Sequence, residues 1–460
     1  MSNEKDLTLK KAFNLAVKNH QEGRLDVAQE FYNQVLKINP NHTDVNNNLG
    51  VLFQNSGDFQ KAKECFEKAI EIDPNYVNSH YNLGVLFQKS NDILKAKDCF
   101  EKVIEINPNH ADANNNLGVL FQKSNDILKA KDCFEKVIEI NPKYEGVHSN
   151  LGVIFQELGE YQKSKDCFEK EIEINPGSQV ALINRGKILF EKGKFELSLI
   201  DFDNCNTFDS RARALISLYA LGHIDEIYKR IEENSQLDEK NIRVAAFSSF
   251  IAFKTKKNTA QNFCLNPIDF IHHSNLSSHL QNFNSFITDI IKELHDVNTT
   301  WEPFNKSTIG GFQSGHNLFA KPQKQIQNLR SIIITEIKSY YLKFKNETCS
   351  LIKKWPSKYN LNAWHVILKK QGYQNPHIHA NGWISGVVYL KVVPHLKKDE
   401  GAIEFSLNGE NYYNANSQKL VYHPKTGDIV IFPSSLHHRT IPFSSDTDRI
   451  TIAFDVGPIS

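Results

Sequence analysis

A single 34-residue step governs the first half of the sequence. Leu49-Gly50, Leu83-Gly84, Leu117-Gly118 and Leu151-Gly152 recur at it, Arg185-Gly186 continues the series, and Leu15-Ala16 begins it. Pro40, Pro74, Pro108, Pro142 and Pro176 keep the same step, as do Ala28, Ala62, Ala96 and Ala130, then Ser164 and Ser198. Tyr32, Phe66, Phe100, Phe134, Phe168 and Phe202 follow it too. So many positions sharing one period confine this half to an array of like units, each leaving an apolar face that only its neighbour covers. The small residues let the two helices of a unit approach closely, and the aromatic fills the space between neighbouring units. Proline stops the second helix because it cannot donate the next backbone hydrogen bond.

A helix-turn-helix unit of this length resembles the tetratricopeptide repeat. The resemblance implies an all-α solenoid with a concave groove. The sixth unit reaches 208-FDS-210, where the proline is missing; a degenerate unit is expected over 211–234 and a capping helix over 241–253. Asn48, Asn82, Asn116, Asn150 and Asn184 keep the 34-residue step just ahead of the Leu-Gly pair. Such a stripe of amides offers donors and acceptors to the backbone of an extended peptide. It resembles the asparagine ladder in the repeats of O-linked N-acetylglucosamine transferases, and the alternative is a structural role between repeats. Cys65, Cys99, Cys133 and Cys167 also repeat, and are read as half-buried apolar positions.

Composition excludes several classes. The 460 residues are too many for one core, and Lys+Arg 54 against Asp+Glu 53 leaves no basic footprint for nucleic acid. The longest apolar runs, such as WISGVVYL, are too short to cross a bilayer, so no membrane partner is expected. The charged start MSNEKDLTLKK is not a signal peptide, and the seven cysteines contain no CxxC pair. A cytoplasmic protein is the simplest reading.

The repeat pattern stops at a polar break, 254-KTKKNTAQN-262. The domains are therefore placed at 1–235 (solenoid), 236–275 (capping helix and linker) and 276–460. In the last, 276–297 and 325–344 have helical spacing of apolar residues. The segments 363–371, 384–393, 402–407, 428–433 and 449–456 read as strands. Two helices followed by short strands indicate a β-sandwich or small barrel with helices on one outer face.

Chemistry collects in this part. In 375-NPHIHANGWISGVVYL-390, His377 and His379 point to one face if the stretch is extended. Two imidazoles so placed can share a metal ion; the bland alternative is a turn with exposed histidines. In 432-FPSSLHHRTIPFSSDTDRITIAFDV-456 a hairpin about PFSSDTD makes His438 and Arg449 cross-strand neighbours. Along the last strand Arg449, Thr451, Ala453 and Asp455 share one face, and Ile450, Ile452, Phe454 and Val456 the other. A buried arginine requires an anion, and its planar fork suits a carboxylate. His437 is expected to point outward, and His272, His273 and His395 to be solvated. Trp364 and Trp383 are expected in the core or the pocket wall.

Residues 308-TIGGFQSGHNLF-319, 364–390, 427-GDIVIFPSSLHHRTIPF-443 and 449-RITIAF-454 resemble Fe(II)/2-oxoglutarate-dependent oxygenases, a group found in bacteria and phages often fused to such repeats. The resemblance implies a double-stranded β-helix (jelly-roll) with flanking helices. It implies Fe(II) held by the near histidine pair and the distal His438, with O2 and 2-oxoglutarate as cosubstrates. Arg449 and Thr451 would hold the far carboxylate of the keto acid, and Tyr389 could add its hydroxyl. The family at large has HxD or HxE, and here that carboxylate position is His379. Three readings stay open: a triad of His377, His379 and His438; one of the first two completed by Glu404 or water; or a site without iron. Two functions follow: a dioxygenase hydroxylating a polypeptide held by the repeat groove, which otherwise takes a partner protein, or a non-catalytic scaffold whose barrel only binds a ligand.

Overall fold

The computed structural model describes residues 2–303, 306–315, 317–394 and 398–459; His395 lies outside them. The chain divides into two compact units, Met1–Arg185 and Gly186–Ser460. The first is an all-helical solenoid of helix pairs: Ser2–Gln21 with Leu25–Ile38, Thr43–Asn55 with Phe59–Ile72, Val77–Lys89 with Ile93–Ile106, Ala111–Lys123 with Ile127–Ile140, and Val147–Glu157 with Tyr161–Ile174.

The repeated residues act as steric partners. A Cβ placed on Gly50 would lie 2.4 Å from a ring carbon of Phe66, and one on Gly118 2.7 Å from Phe134. The aromatic therefore lies against the glycine of its own unit as well as the leucines of the next, where Phe66 joins Leu83 and Leu86. Asp58, Asp92 and Asp126 cap the second helices by accepting from the amides of Lys61, Lys95 and Lys129. The four repeated cysteines are half-buried, and burial pushes each thiol up to about 11, which disfavours the thiolate form.

The second unit begins within the helix Gln179–Glu191 and takes in Phe195–Cys205, Phe208–Ala220, Ile224–Glu233 and Ile242–Thr255. This division falls well before residue 235, where periodicity alone puts the end of the solenoid. The cause is packing. Leu215, Leu218, Ile227, Phe247 and Phe250 from these helices share one core with Ile403, Phe405, Val430 and Phe432 from the strands and with Tyr412 from the connection between residues 406 and 419.

The strands are β1 (His272–Asn275), β2 (Thr299–Trp301), β3 (Thr308–Ser314), β4 (Tyr359–His377), β5 (Ile384–Lys391), β6 (Ile403–Ser406), β7 (Lys419–Tyr422), β8 (Asp428–Pro433), β9 (His437–Thr440) and β10 (Arg449–Pro458). They form one antiparallel sheet in the order β1-β8-β5-β10-β4-β9-β6-β7, with β3 also on β4 and β2 on β3. The 19-residue β4 serves both halves: residues 359–368 pair with β10, and Gln374 and His377 with β9 after an irregular stretch. The sheet thus curls into a half-barrel. On its outer face Ile450, Ile452, Phe454 and Val456 pack with Ile326, Leu329, Ile333 and Ile337 of the helix Lys324–Phe344 and with the helix Phe283–His295.

The hairpin expected between His438 and Arg449 does not form. β4 stands between β9 and β10, and Arg449 lies opposite Leu368 while His438 lies opposite His377 and Phe405. The connection 441–448 instead crosses β4, tied by Gln371 N–H to Phe443 O and by Lys369–Asp448 and Lys370–Asp446 ion pairs. Among the described residues no helix is long and apolar enough to cross a membrane.

Candidate metal centre

A cavity of about 460 Å³ opens on the inner face of the curled sheet. His377 reaches it from the end of β4, His379 from the turn that follows, and His438 from β9. One ligand atom from each of the three lies within 4.8 Å of the other two. The ring centroids are 5.2 Å apart for His377–His379, 4.3 Å for His377–His438 and 5.0 Å for His379–His438.

Each ring is oriented from behind. His377 Nδ1 lies 2.7 Å from the Asn375 carbonyl, His438 Nδ1 3.2 Å from the Leu436 carbonyl, and His379 Nδ1 bonds the Asp455 carboxylate. An Nδ1–H donated to an oxygen acceptor leaves Nε2 with its lone pair free, the arrangement usual for imidazole ligands. His377 Nε2 also lies 3.3 Å from the Ser307 hydroxyl. Burial, then the neighbouring imidazole charge, pushes His377 down to about 3, and the same causes hold His438 well below its ordinary value. Both rings are therefore neutral at physiological pH, as ligands must be.

Arg449, Thr451, Ala453 and Asp455 line the same cavity, the face that alternation along β10 assigns them. Arg449 is 2 % exposed, its Nε has no hydrogen-bond partner, and no carboxylate ion-pairs with it among the described residues. Its guanidinium sits 5.0 Å from the ring centre of Tyr389, which lies opposite Thr451 across β5 and β10. Burial lowers the Arg449 pKa, countered in part by Tyr389, and pushes the Tyr389 hydroxyl up to about 12. A buried, unmatched guanidinium is costly, and an anion entering the cavity would relieve it.

Other expectations need correction. Glu404 accepts hydrogen bonds from Arg439 Nε and Nη2, each at 3.0 Å, so it does not complete the histidine set. His437 does point away from His438, yet it is buried, 3.3 Å from the Tyr412 hydroxyl, because helices cover that face. Both His272 and His273 lie in strand β1 rather than a loop; His272 is half-buried beside Glu336 at 3.3 Å, whereas His273 is solvent-exposed as expected, its ring 4.3 Å from that of Tyr422. Trp364 and Trp383 lie as expected: Trp364 walls the cavity 5.5 Å from His379, and Trp383 is core, donating to Leu351 O.

Sequence reasoning placed Asp455 on the right face but gave it no task; its link to His379 needed the turn geometry. A hydrogen-bonded run also escaped notice: Thr440 to Gln374 at 3.2 Å, Gln374 to Thr308 at 3.4 Å and Thr308 to Gln313 at 2.9 Å, with Gln313, Gln374 and Thr440 facing the cavity.

In the first unit the asparagine ladder bonds between neighbouring repeats. Asn82 donates to Asn47 at 2.9 Å, Asn116 to the Tyr81 hydroxyl at 3.3 Å and Asn150 to Asn115 at 3.2 Å. Asn48 accepts from Asn47 at 3.3 Å, and Asn184, like the others, is half-buried. These bonds supply the structural role, and the half-exposed amides retain capacity for a ligand.

Residues 362–455 match the family described as "Putative 2OG-Fe(II) oxygenase". Residues 44–76, 77–110 and 111–144, and separately 12–42 and 146–178, match tetratricopeptide repeat families. The chain therefore joins tetratricopeptide repeats to a domain of that oxygenase family. Among solved structures it is similar to the MamA protein at 25 % identity (TM-score 0.34, covering 37 % of this chain and 92 % of that one). It is also similar to Pseudomonas aeruginosa pilF at 19 % identity (TM-score 0.41, 45 % and 97 %). A third is YrrB, a TPR protein with an unusual peptide-binding site, at 20 % identity (TM-score 0.36, 42 % and 97 %). No curated protein matches.

Proposed function

We propose that this protein is an Fe(II)- and 2-oxoglutarate-dependent dioxygenase that hydroxylates a polypeptide captured by its repeats. The carrying observation is the histidine cluster: three imidazoles converge on one point, each with Nδ1 engaged from behind. The curled antiparallel sheet is compatible with a double-stranded β-helix. His377, His379 and His438 would hold the metal; three neutral nitrogen donors suit a divalent transition ion. When bound, Fe(II) with 2-oxoglutarate and O2 supplies oxidative decarboxylation to succinate and CO2, coupled to hydroxylation of a C–H bond.

The chain's own residues then have defined tasks. Arg449 would take the far carboxylate of 2-oxoglutarate through charge-assisted hydrogen bonds, and its lack of any other anionic partner among the described residues supports this. Thr451, and Tyr389 with its unpartnered hydroxyl, would add donors beside it. Trp364 and the apolar neighbours Phe405 and Phe432, the latter 4.6 Å from His438, limit water around the centre. The amides Gln313 and Gln374 give the cavity wall hydrogen-bonding groups suited to a peptide. Asn48, Asn82, Asn116, Asn150 and Asn184 would engage the extended backbone of the captured polypeptide.

Anaerobic addition of Fe(II) and then 2-oxoglutarate is expected to produce a weak visible charge-transfer band. Admitting O2 should release succinate, and a metal-free His377→Ala, His438→Ala chain should trap a polypeptide that the active chain oxidises. Neither band nor succinate would leave a ligand-binding scaffold.

A further inference from the structure

Three histidines bring no charge to a divalent ion, whereas two histidines and a carboxylate would bring one negative charge. Asp455 is the only carboxylate among the described residues lining the cavity, and its Oδ1 accepts from His379 Nδ1. The same oxygen accepts from Ser385 Oγ at 2.7 Å, and Ser385 bonds Ser434 Oγ at 2.7 Å. Ser434 O in turn receives the His379 backbone N–H at 3.1 Å. His379 lies beyond the last residue of β4, so strand pairing does not orient its ring. Its ring orientation depends on this Asp455–Ser385–Ser434 linkage between β5, β10 and the end of β8.

We propose that Asp455 is a positioning residue that supplies, one hydrogen bond behind His379, the negative charge missing from the ligand set. The carboxylate fixes the Nδ1–H form of the ring, turns Nε2 toward the ion and strengthens it as a donor. The inference rests on the metal-centre reading above. It adds that the centre's charge balance lies outside the coordinating atoms.

The test is anaerobic Co(II) titration of the full chain, read by d–d absorption and calorimetry, for the wild type, Asp455→Asn and Asp455→Ala. Asparagine keeps the shape and an acceptor oxygen but removes the charge. Asp455→Asn is expected to bind Co(II) about 10-fold more weakly with shifted bands, and Asp455→Ala about 10- to 100-fold more weakly. A residue that only braces the turn would lower thermal stability in Asp455→Asn but leave Co(II) affinity and spectrum unchanged, and that result overturns the proposal. No Co(II) uptake by the wild type would instead bring down the metal-centre reading. Should Asp455→Asn fail to fold, nitrogen-15 NMR of metal-free wild type decides. A His379 resonance in the Nδ1–H form, assigned against His379→Gln, supports the proposal, and the Nε2–H form refutes it.

Discussion

Replacing Arg449 with Met separates a ligand clamp from a structural arginine because the two roles predict opposite signs. Arg449 is 2 % exposed, stands over Tyr389 at 5.0 Å, and has no carboxylate partner among the described residues. In the ligand-free protein its charge is therefore a burden. Exchanging a buried charge for an apolar side chain of similar length is expected to be neutral or stabilising by about 1–3 kcal/mol. With 2-oxoglutarate bound, the same exchange removes charge-assisted hydrogen bonds worth about 1.5–3 kcal/mol each, so affinity should fall by about 100-fold or more. Arg449→Lys keeps a point charge without the fork and should lose about 10-fold. Anaerobic calorimetry on the metal-loaded chain reads the affinity. Denaturation followed by tryptophan fluorescence reads stability of the second unit alone, because all four tryptophans (Trp301, Trp355, Trp364 and Trp383) lie in Gly186–Ser460. Unchanged 2-oxoglutarate affinity together with a destabilised ligand-free Arg449→Met protein would refute the clamp.

Gly118→Ala, whose new methyl would lie 2.7 Å from Phe134, should destabilise the first unit by about 1–3 kcal/mol in circular dichroism melts. Glu336 is held down at about 2, chiefly by the hydrogen bond from His272, below its ordinary 4.5. Its folded-state pKa is depressed, so its contribution is complete above about pH 5 and lost as pH falls from 4.5 toward 2. Discounted for solvent screening, that contribution is about 1–2 kcal/mol, and Glu336→Gln should flatten the acid limb of the stability profile. His379→Asp alone sets a second carboxylate beside Asp455 and should weaken metal binding, whereas His379→Asp with Asp455→Asn should recover part of it in a metal titration.

What the sequence made legible follows from periodicity. The 34-residue step specifies the helix pairs because every glycine in it meets a ring, as Gly50 meets Phe66. Alternation along β10 places Arg449 and Thr451 in the cavity and Ile450 and Ile452 in the core without knowledge of the neighbouring strands. Pairing between distant strands was not legible. The β9–β10 hairpin is locally plausible, but β4 is long enough to serve both halves of the sheet and lies between them. The burial of His437 and the packing of Phe247 and Phe250 on the strands also depend on contacts far apart in sequence. The Asp455–His379 bond spans 76 residues and depends on a turn that no periodic pattern marks.

X-ray absorption on the chain loaded anaerobically with Fe(II) tests the central claim most directly. The account predicts one iron per chain with scattering from three imidazoles, reduced to two in His438→Ala. No iron uptake, or a wild-type spectrum with fewer than three imidazoles, would contradict it.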